Sequence, residues 1–265
     1  MRLNHYRSGH GEPLVLIHGI GSRWQMWEPV VDRLVARREV IALDLPGFGA
    51  SPMPPAGTPA GIDSLASLVA EFLDEEGIER PHVAGNSLGG WLALELAKRG
   101  GVRSATAISP AGFANRPENV GARSSLWLAV RLARRMAPRA DSLLASRAGR
   151  QLAMGLFFAH PARIPVGEAA DSLRALAGAP WFDETLKTIV PAGFNGGERI
   201  DVPVTIAWGS KDHLLQPRQA LRAARAIPRA RLVTLPGCGH VPTYDDPELV
   251  TRMLMESTDG SVEPV

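Results

Sequence analysis

The chain has 265 residues, 45% hydrophobic and 21% charged, a composition that builds a sizeable core and excludes disorder on this scale. Formal net charge is +2; all but Lys98, Lys187 and Lys211 of the 29 basic residues are arginine, yet the 27 acidic residues are spread along the chain, so composition implies no strongly basic face. Cys238 is the single cysteine, which excludes an intrachain disulfide. The N-terminal run MRLNHYRSGHG has no apolar stretch of signal-peptide kind, and no run approaches the ~20 residues needed to span a bilayer. A soluble cytoplasmic protein without a membrane span is expected.

In chain order, residues 13–18 (PLVLIH) and 39–44 (EVIALD) are short apolar runs ended by turn residues, followed by a proline-rich loop at 52–59. Residues 62–73 place Ile62, Leu65, Leu68, Val69, Phe72 and Leu73 on one helical face, with Gly77 as a stop. Residues 81–86 (PHVAGN) read as a strand, 88–99 as a helix and 102–109 (VRSATAIS) as a strand. Strands resume at 202–208 (VPVTIAW) and 230–235 (ARLVTL), and Asp246-Pro247-Glu248 starts a final helix. Runs without polar alternation belong to strands buried on both faces, so the alternation predicts a parallel sheet flanked by helices. Between about 111 and 199 the rhythm breaks into helical runs at 124–136, 141–158, 166–176 and 181–190. A stretch this long is not a bare loop; it reads as a helical lid on the strand ends.

Three chemistry-bearing residues follow three different strands. Gly85-Asn86-Ser87-Leu88-Gly89 sits between strand and helix, where a tight turn exposes a serine and glycines relieve the crowding. The pentapeptide alone is a weak signal; its context makes it strong. Asp212 lies just past the strand 202–208 and suits the orienting of an imidazole, the competing reading being a turn-forming aspartate ahead of Pro217. His240, in Gly-Cys-Gly-His-Val-Pro, follows the last strand and suits general-base work; the competing reading is a buried histidine bonded to backbone. The loop His18-Gly19-Ile20-Gly21 can aim the Ile20 amide at an oxyanion beside the Leu88 amide, with His18 shaping the loop. Cys238 reads as a packed residue, the lid arginines as a solvated face, and no zinc spacing, P-loop or dinucleotide fingerprint is present.

At these residues, together with Asp44-Leu-Pro-Gly-Phe-Gly-Ala-Ser51 and Asp246-Pro247, the chain resembles the α/β-hydrolase superfamily. The resemblance implies the α/β-hydrolase fold: a mostly parallel sheet of about eight strands flanked by helices, with a helical cap insertion. The expected division is a core of residues 1–112 and 200–265 and a cap of 113–199. It also implies that the Asp44 loop is structural. Serine at position 87 argues against haloalkane dehalogenases and soluble epoxide hydrolases, which use aspartate there. Residues 85–91 (GNSLGGW) and the cap are similar to carboxylesterases and meta-cleavage C–C hydrolases, and Val241 stands where the latter commonly carry tryptophan.

The expected function is cleavage of a small to medium, largely apolar carboxylic ester through an acyl-enzyme, by Ser87, Asp212 and His240, without metal or cofactor. C–C hydrolysis of dienone acids, thioester cleavage and a ligand-sensing binding protein are the alternatives. Leu126, Trp127, Phe157, Phe158, Trp181 and Phe194 of the lid are expected to line the pocket, with Val241 also at the substrate. The partner expected is the small ester alone, with the chain a monomer or homodimer.

Overall fold

The computed structural model describes residues 1–189 and 192–259. The strands are β1 (His5–Ser8), β2 (Pro13–Ile17), β3 (Glu39–Leu43), β4 (His82–Asn86), β5 (Ser104–Ile108), β6 (Val204–Gly209) and β7 (Arg231–Leu235). They form one sheet in the order β1-β3-β2-β4-β5-β6-β7, with only β1 antiparallel to its neighbour. All six strands predicted from apolar runs are present. Among the described residues the sheet has seven strands where the resemblance implied about eight, with β1 and β7 at its edges. β1 carried no sequence signal: HYRS offers no apolar run.

Before β4, α1 (Glu28–Leu34) and α2 (Ile62–Glu75) appear; α3 (Leu88–Arg99) follows β4. After β6 come α9 (Gln219–Ala226) and, last, α10 (Pro247–Thr258). The pleat sends alternate side chains to opposite faces. Val15, Ile17, Ile41 and Leu43 belong to the core that α2, α3 and α9 also enter on one face, while Leu14, Leu16, Val40 and Ala42 belong to the core of α1 and α10 on the other. Helix α2 ends as read: Gly77 has φ +65°, and the Ile78 amide returns to the Leu73 carbonyl at 2.9 Å. Asp246 caps α10 by accepting from the Leu249 amide at 2.9 Å. Successive strands add outward on opposite sides of β2 and β4, so the crevice between those two is the switch point where α/β sheets place ligands.

Between β5 and β6 the described chain is helical: α4 (Arg116–Met136), α5 (Ala140–Leu144), α6 (Arg147–Met154), α7 (Val166–Gly178) and α8 (Phe182–Ile189). Helix α4 begins eight residues before the predicted 124, because Asn115 and Glu118 form a capping box at 3.0 and 2.9 Å. The predicted helix 141–158 is two helices. Ser146 is extended there and its hydroxyl caps the Gly149 amide at 2.9 Å; a Cβ at Gly149 would lie 1.7 Å from the Leu143 carbonyl oxygen. Helix α8 was expected to reach Val190, which lies outside the described residues. These helices share a small core of their own, including Ala133, Leu144, Met154, Ile164 and Leu173, joined by Tyr244 from the histidine loop.

Candidate active site

Ser87 occupies the turn from β4 into α3 with φ 58° and ψ −114°, a conformation rare for a residue with a Cβ. Its amide donates to the Ile108 carbonyl at 2.9 Å, pinning the turn to β5. The two motif glycines are sterically required. A Cβ on Gly85 would stand 2.1 Å from the Gly89 oxygen, and one on Gly89 2.2 Å from the Ile17 oxygen. The Leu88 amide, at the first position of α3, has no intrahelical acceptor and carries the positive end of the dipole.

Nδ1–H of His240 donates to Oδ2 of Asp212 at 2.8 Å, with both side chains buried. That bond fixes the tautomer and leaves Nε2 as the proton-accepting nitrogen. The other carboxylate oxygen of Asp212 accepts the Leu214 and Leu215 amides at 2.9 and 2.8 Å, so the acid cannot swing. The acid and histidine loops touch backbone to backbone: Lys211 N–H donates to the Cys238 carbonyl at 2.8 Å, and a Cβ on Gly209 would meet the Gly239 oxygen at 2.1 Å. Ser87 and His240 face one cavity, with no direct hydrogen bond between them among the described residues.

His18 is fully buried, its Nδ1–H donating to the Gly19 carbonyl at 2.7 Å and its Nε2 accepting the Leu45 amide at 2.9 Å. Burial lowers its pKa, only partly offset by Asp44, so it stays neutral and shapes the loop. Asp44 accepts from Asn4, Trp24 and Ala50 at 2.7, 2.7 and 2.8 Å, which satisfies the carboxylate structurally. Ile20 follows Gly19 and lines the space beside Ser87.

The cavity encloses about 770 Å³, part of it open to solvent. Of the residues expected to line it, Leu126, Phe157, Phe158 and Val241 do so, with Met154, Leu173, Leu176 and Tyr244. Three do not. Trp127 is 49% exposed on the outer side of α4. Trp181 is buried against Gly47, its indole N–H donating to Glu184 at 3.0 Å. Phe194 packs on Phe113 beneath Lys98 and lines neither of the spaces at Ser87. Aromatic content marks apolar packing, and the helix phase decides which way each ring turns. A second, smaller apolar space also reaches Ser87, between α4 and α8, and includes Leu88, Ala122, Leu186 and Leu215.

A model of the alpha/beta hydrolase family matches residues 14–253. The chain belongs to that family. This hydrolase is 29% identical over 273 residues to the dihydrolipoyllysine-residue acetyltransferase component of an acetoin cleaving system from Cupriavidus necator, covering 98% of this chain and 67% of the relative. It is 31% identical over 205 residues to an epoxide hydrolase of Mycobacterium tuberculosis, covering 72% of this chain and 91% of the relative. It is similar in fold to a thermophilic esterase from Thermogutta terrifontis, with TM-score 0.73 and 22% identity over 97% of this chain and 93% of the other.

Sequence reasoning missed the residues that hold the hydrolase's histidine loop. Asn86, quoted within the serine motif without a role, donates from Nδ2 to the His240 carbonyl at 2.8 Å. Asp245, one of two consecutive acids before Pro247, accepts the Gly239, Ala159 and His160 amides at 2.8, 3.0 and 2.7 Å. Val241 N–H adds a bond to the Phe157 carbonyl at 2.8 Å. The loop is thereby tied to residues 157–160 of the helical segment. Arg23, also unforeseen, lines the cavity and pairs with Glu168 of α7 at 2.7 Å. Burial, with Asp245 and Asp246 nearby, pushes the Cys238 thiol up to about 12, so it stays protonated and unreactive. Among the described residues no helix is long and apolar enough to cross a membrane, and no cluster of three His, Cys, Asp or Glu side chains could hold a metal.

Proposed function

We propose that this hydrolase cleaves carboxylic esters of small to medium, largely apolar substrates through an acyl-enzyme on Ser87. The observation that carries the reading is the 2.8 Å bond from His240 to Asp212, with His240 and Ser87 facing the same apolar cavity. Oγ of Ser87 attacks the carbonyl carbon while Nε2 of His240 takes its proton; Asp212 stabilises the imidazolium. The Ile20 and Leu88 amides hold the oxyanion. Collapse expels the alcohol, which receives the proton from His240. Water then attacks the acyl-enzyme with His240 again as base, releasing the acid and Ser87. The route requires no cofactor. An epoxide, by contrast, is opened in the related enzymes by a carboxylate, and position 87 holds a serine.

Residues 113–199 act in this reading as a cap whose inner side supplies Leu126, Phe157 and Phe158, with Val241 of the histidine loop beside Phe157. Each buried methylene gains about 0.8 kcal/mol until the pocket is full. The substrate is the only partner this reading requires, and a cytoplasmic monomer or homodimer would suffice. A p-nitrophenyl ester series tests it: kcat/KM should rise from acetate to short or medium acyl chains and then fall, and Ser87→Ala should abolish it. Rapid bleaching of a coloured dienone acid by an enzyme that ignores every ester would replace it with C–C hydrolysis.

A further inference from the structure

Helix α4 presents two unlike faces. Its inner face buries Ala122, Leu126, Val130 and Ala133, and Ala122 and Leu126 reach the spaces beside Ser87. Its outer face leaves Val120 66%, Trp127 49%, Leu128 52% and Leu132 45% exposed. At 3.6 residues per turn these four fall on the side away from the core, interleaved with Arg131 and Arg135. The Arg131 guanidinium lies 4.5 Å from the Trp127 ring centroid. Single exposed apolar residues are ordinary, but four along one face of one helix mark an interaction surface.

Charge in this region is one-sided. Residues 116–150 hold eight arginines and two acids, Glu118 and Asp141. Glu118 is engaged by Arg218 and Arg222, and Asp141 by Arg174. Arg134 pairs with Asp183, and Arg150 turns inward to the Leu144 and Ala145 carbonyls. Arg116, Arg123, Arg131, Arg135, Arg139 and Arg147 remain exposed, without a carboxylate partner among the described residues.

We propose that the outer face of α4 docks on an anionic lipid bilayer. Trp and Leu side chains on an amphipathic helix sink to the headgroup–acyl boundary, while arginines beside them meet anionic headgroups. A second copy of the chain fits poorly, because a two-fold contact would set these arginines against their own images. Nucleic acid would satisfy the arginines but leave Val120, Leu128 and Leu132 facing phosphate. The helix extends about 31 Å at 1.5 Å per residue, long enough to lie along a surface. Docked this way, the roof of the candidate site rests against the membrane. The inference stands apart from the ester reading, since it uses only the face of α4 turned away from Ser87.

The test is co-sedimentation of the full chain with vesicles of phosphatidylcholine alone or of phosphatidylcholine and phosphatidylglycerol at about 3:1. Binding to the anionic vesicles should be at least about tenfold tighter than to the neutral ones and should weaken as salt screens the arginines. Arg131→Glu with Arg135→Glu should weaken it by about tenfold or more. Leu128→Ser with Leu132→Ser, which keeps the charge, should weaken it as well. Circular dichroism and soluble-ester hydrolysis check that each variant is folded. Absence of binding by the folded wild-type chain would overturn the proposal, as would binding that neither pair of substitutions alters. A dimer abolished by the two leucine substitutions, without vesicle binding, would assign the face to self-association and overturn it too.

Discussion

The strand ends and the helical segment above them are built on different principles. At the strand ends, backbone approaches backbone so closely that Gly85, Gly89 and Gly209 have no room for a Cβ, and buried carboxylates tie the loops. Asp212 accepts three N–H groups and Asp245 three more. The helical segment instead rests on interlocking apolar side chains, α4 on α7 and α7 on α5, with a separate small core. Hydrogen-bonded geometry places an atom to within a few tenths of an ångström; side-chain packing sets a volume. The first region therefore governs reactivity in this account and the second governs which substrate enters.

If that division holds, the largest loss after removal of Ser87 itself should come from the acid. Asp212→Asn keeps the shape but presents an amide where Nδ1–H needs an acceptor, and kcat should fall about 10⁴-fold with the fold intact. A crippling Asp44→Asn beside a mild Asp212→Asn, both folded, would reverse the assignment. Next comes the tether between the regions. Asp245→Ala orphans three amides and loosens the His240 loop, which should lower kcat about 100-fold with less change in KM. Asp245→Asn, which keeps one acceptor oxygen, should recover part of that; equal loss of kcat and KM effects in both would point to mere unfolding. Smaller still are changes to the walls. Phe158→Ala should shift the preferred ester by a few-fold, whereas Trp127→Ala should change soluble-ester kinetics less than about twofold. A larger effect at Trp127 would bring the outer face of α4 into the pocket.

The smallest effect is on stability. Burial lowers the His18 pKa, so the unfolded chain binds the extra proton first as pH falls below about 6.5. Stability from this group is fully present above that pH and is lost on the acid side as pH falls toward the folded-state value. Protonation also removes the lone pair that accepts the Leu45 amide. His82, lowered mainly by burial, acts in the same direction, while Glu12 and Glu118, with lowered pKa values, lose their contribution only below about 4.5. Thermal unfolding should show a fall between pH 7 and 5 that is shallower in His18→Gln; an identical slope would remove His18 from the balance.

What the sequence disclosed follows the same divide. Glycines forced by backbone contact, and acids placed just past strands, leave local marks, so Ser87, Asp212 and His240 are brought together as their motifs suggested. Asp245 left little mark, because its partners Ala159 and His160 lie 86 and 85 residues away in the chain. Trp127, Trp181 and Phe194 were misplaced for a related reason: an apolar residue announces burial or contact without naming its neighbour. The unbroken helix expected at 141–158 failed on Ser146, whose hydroxyl gave the backbone an alternative to continuing.

The most direct test of the central claim is to label the folded protein with a fluorophosphonate and map the adduct by mass spectrometry. One phosphonyl group should appear, on Ser87, formed far more slowly in Asp212→Asn and absent in Ser87→Ala. Full labelling of a folded Ser87→Ala protein would place the nucleophile elsewhere and contradict the account.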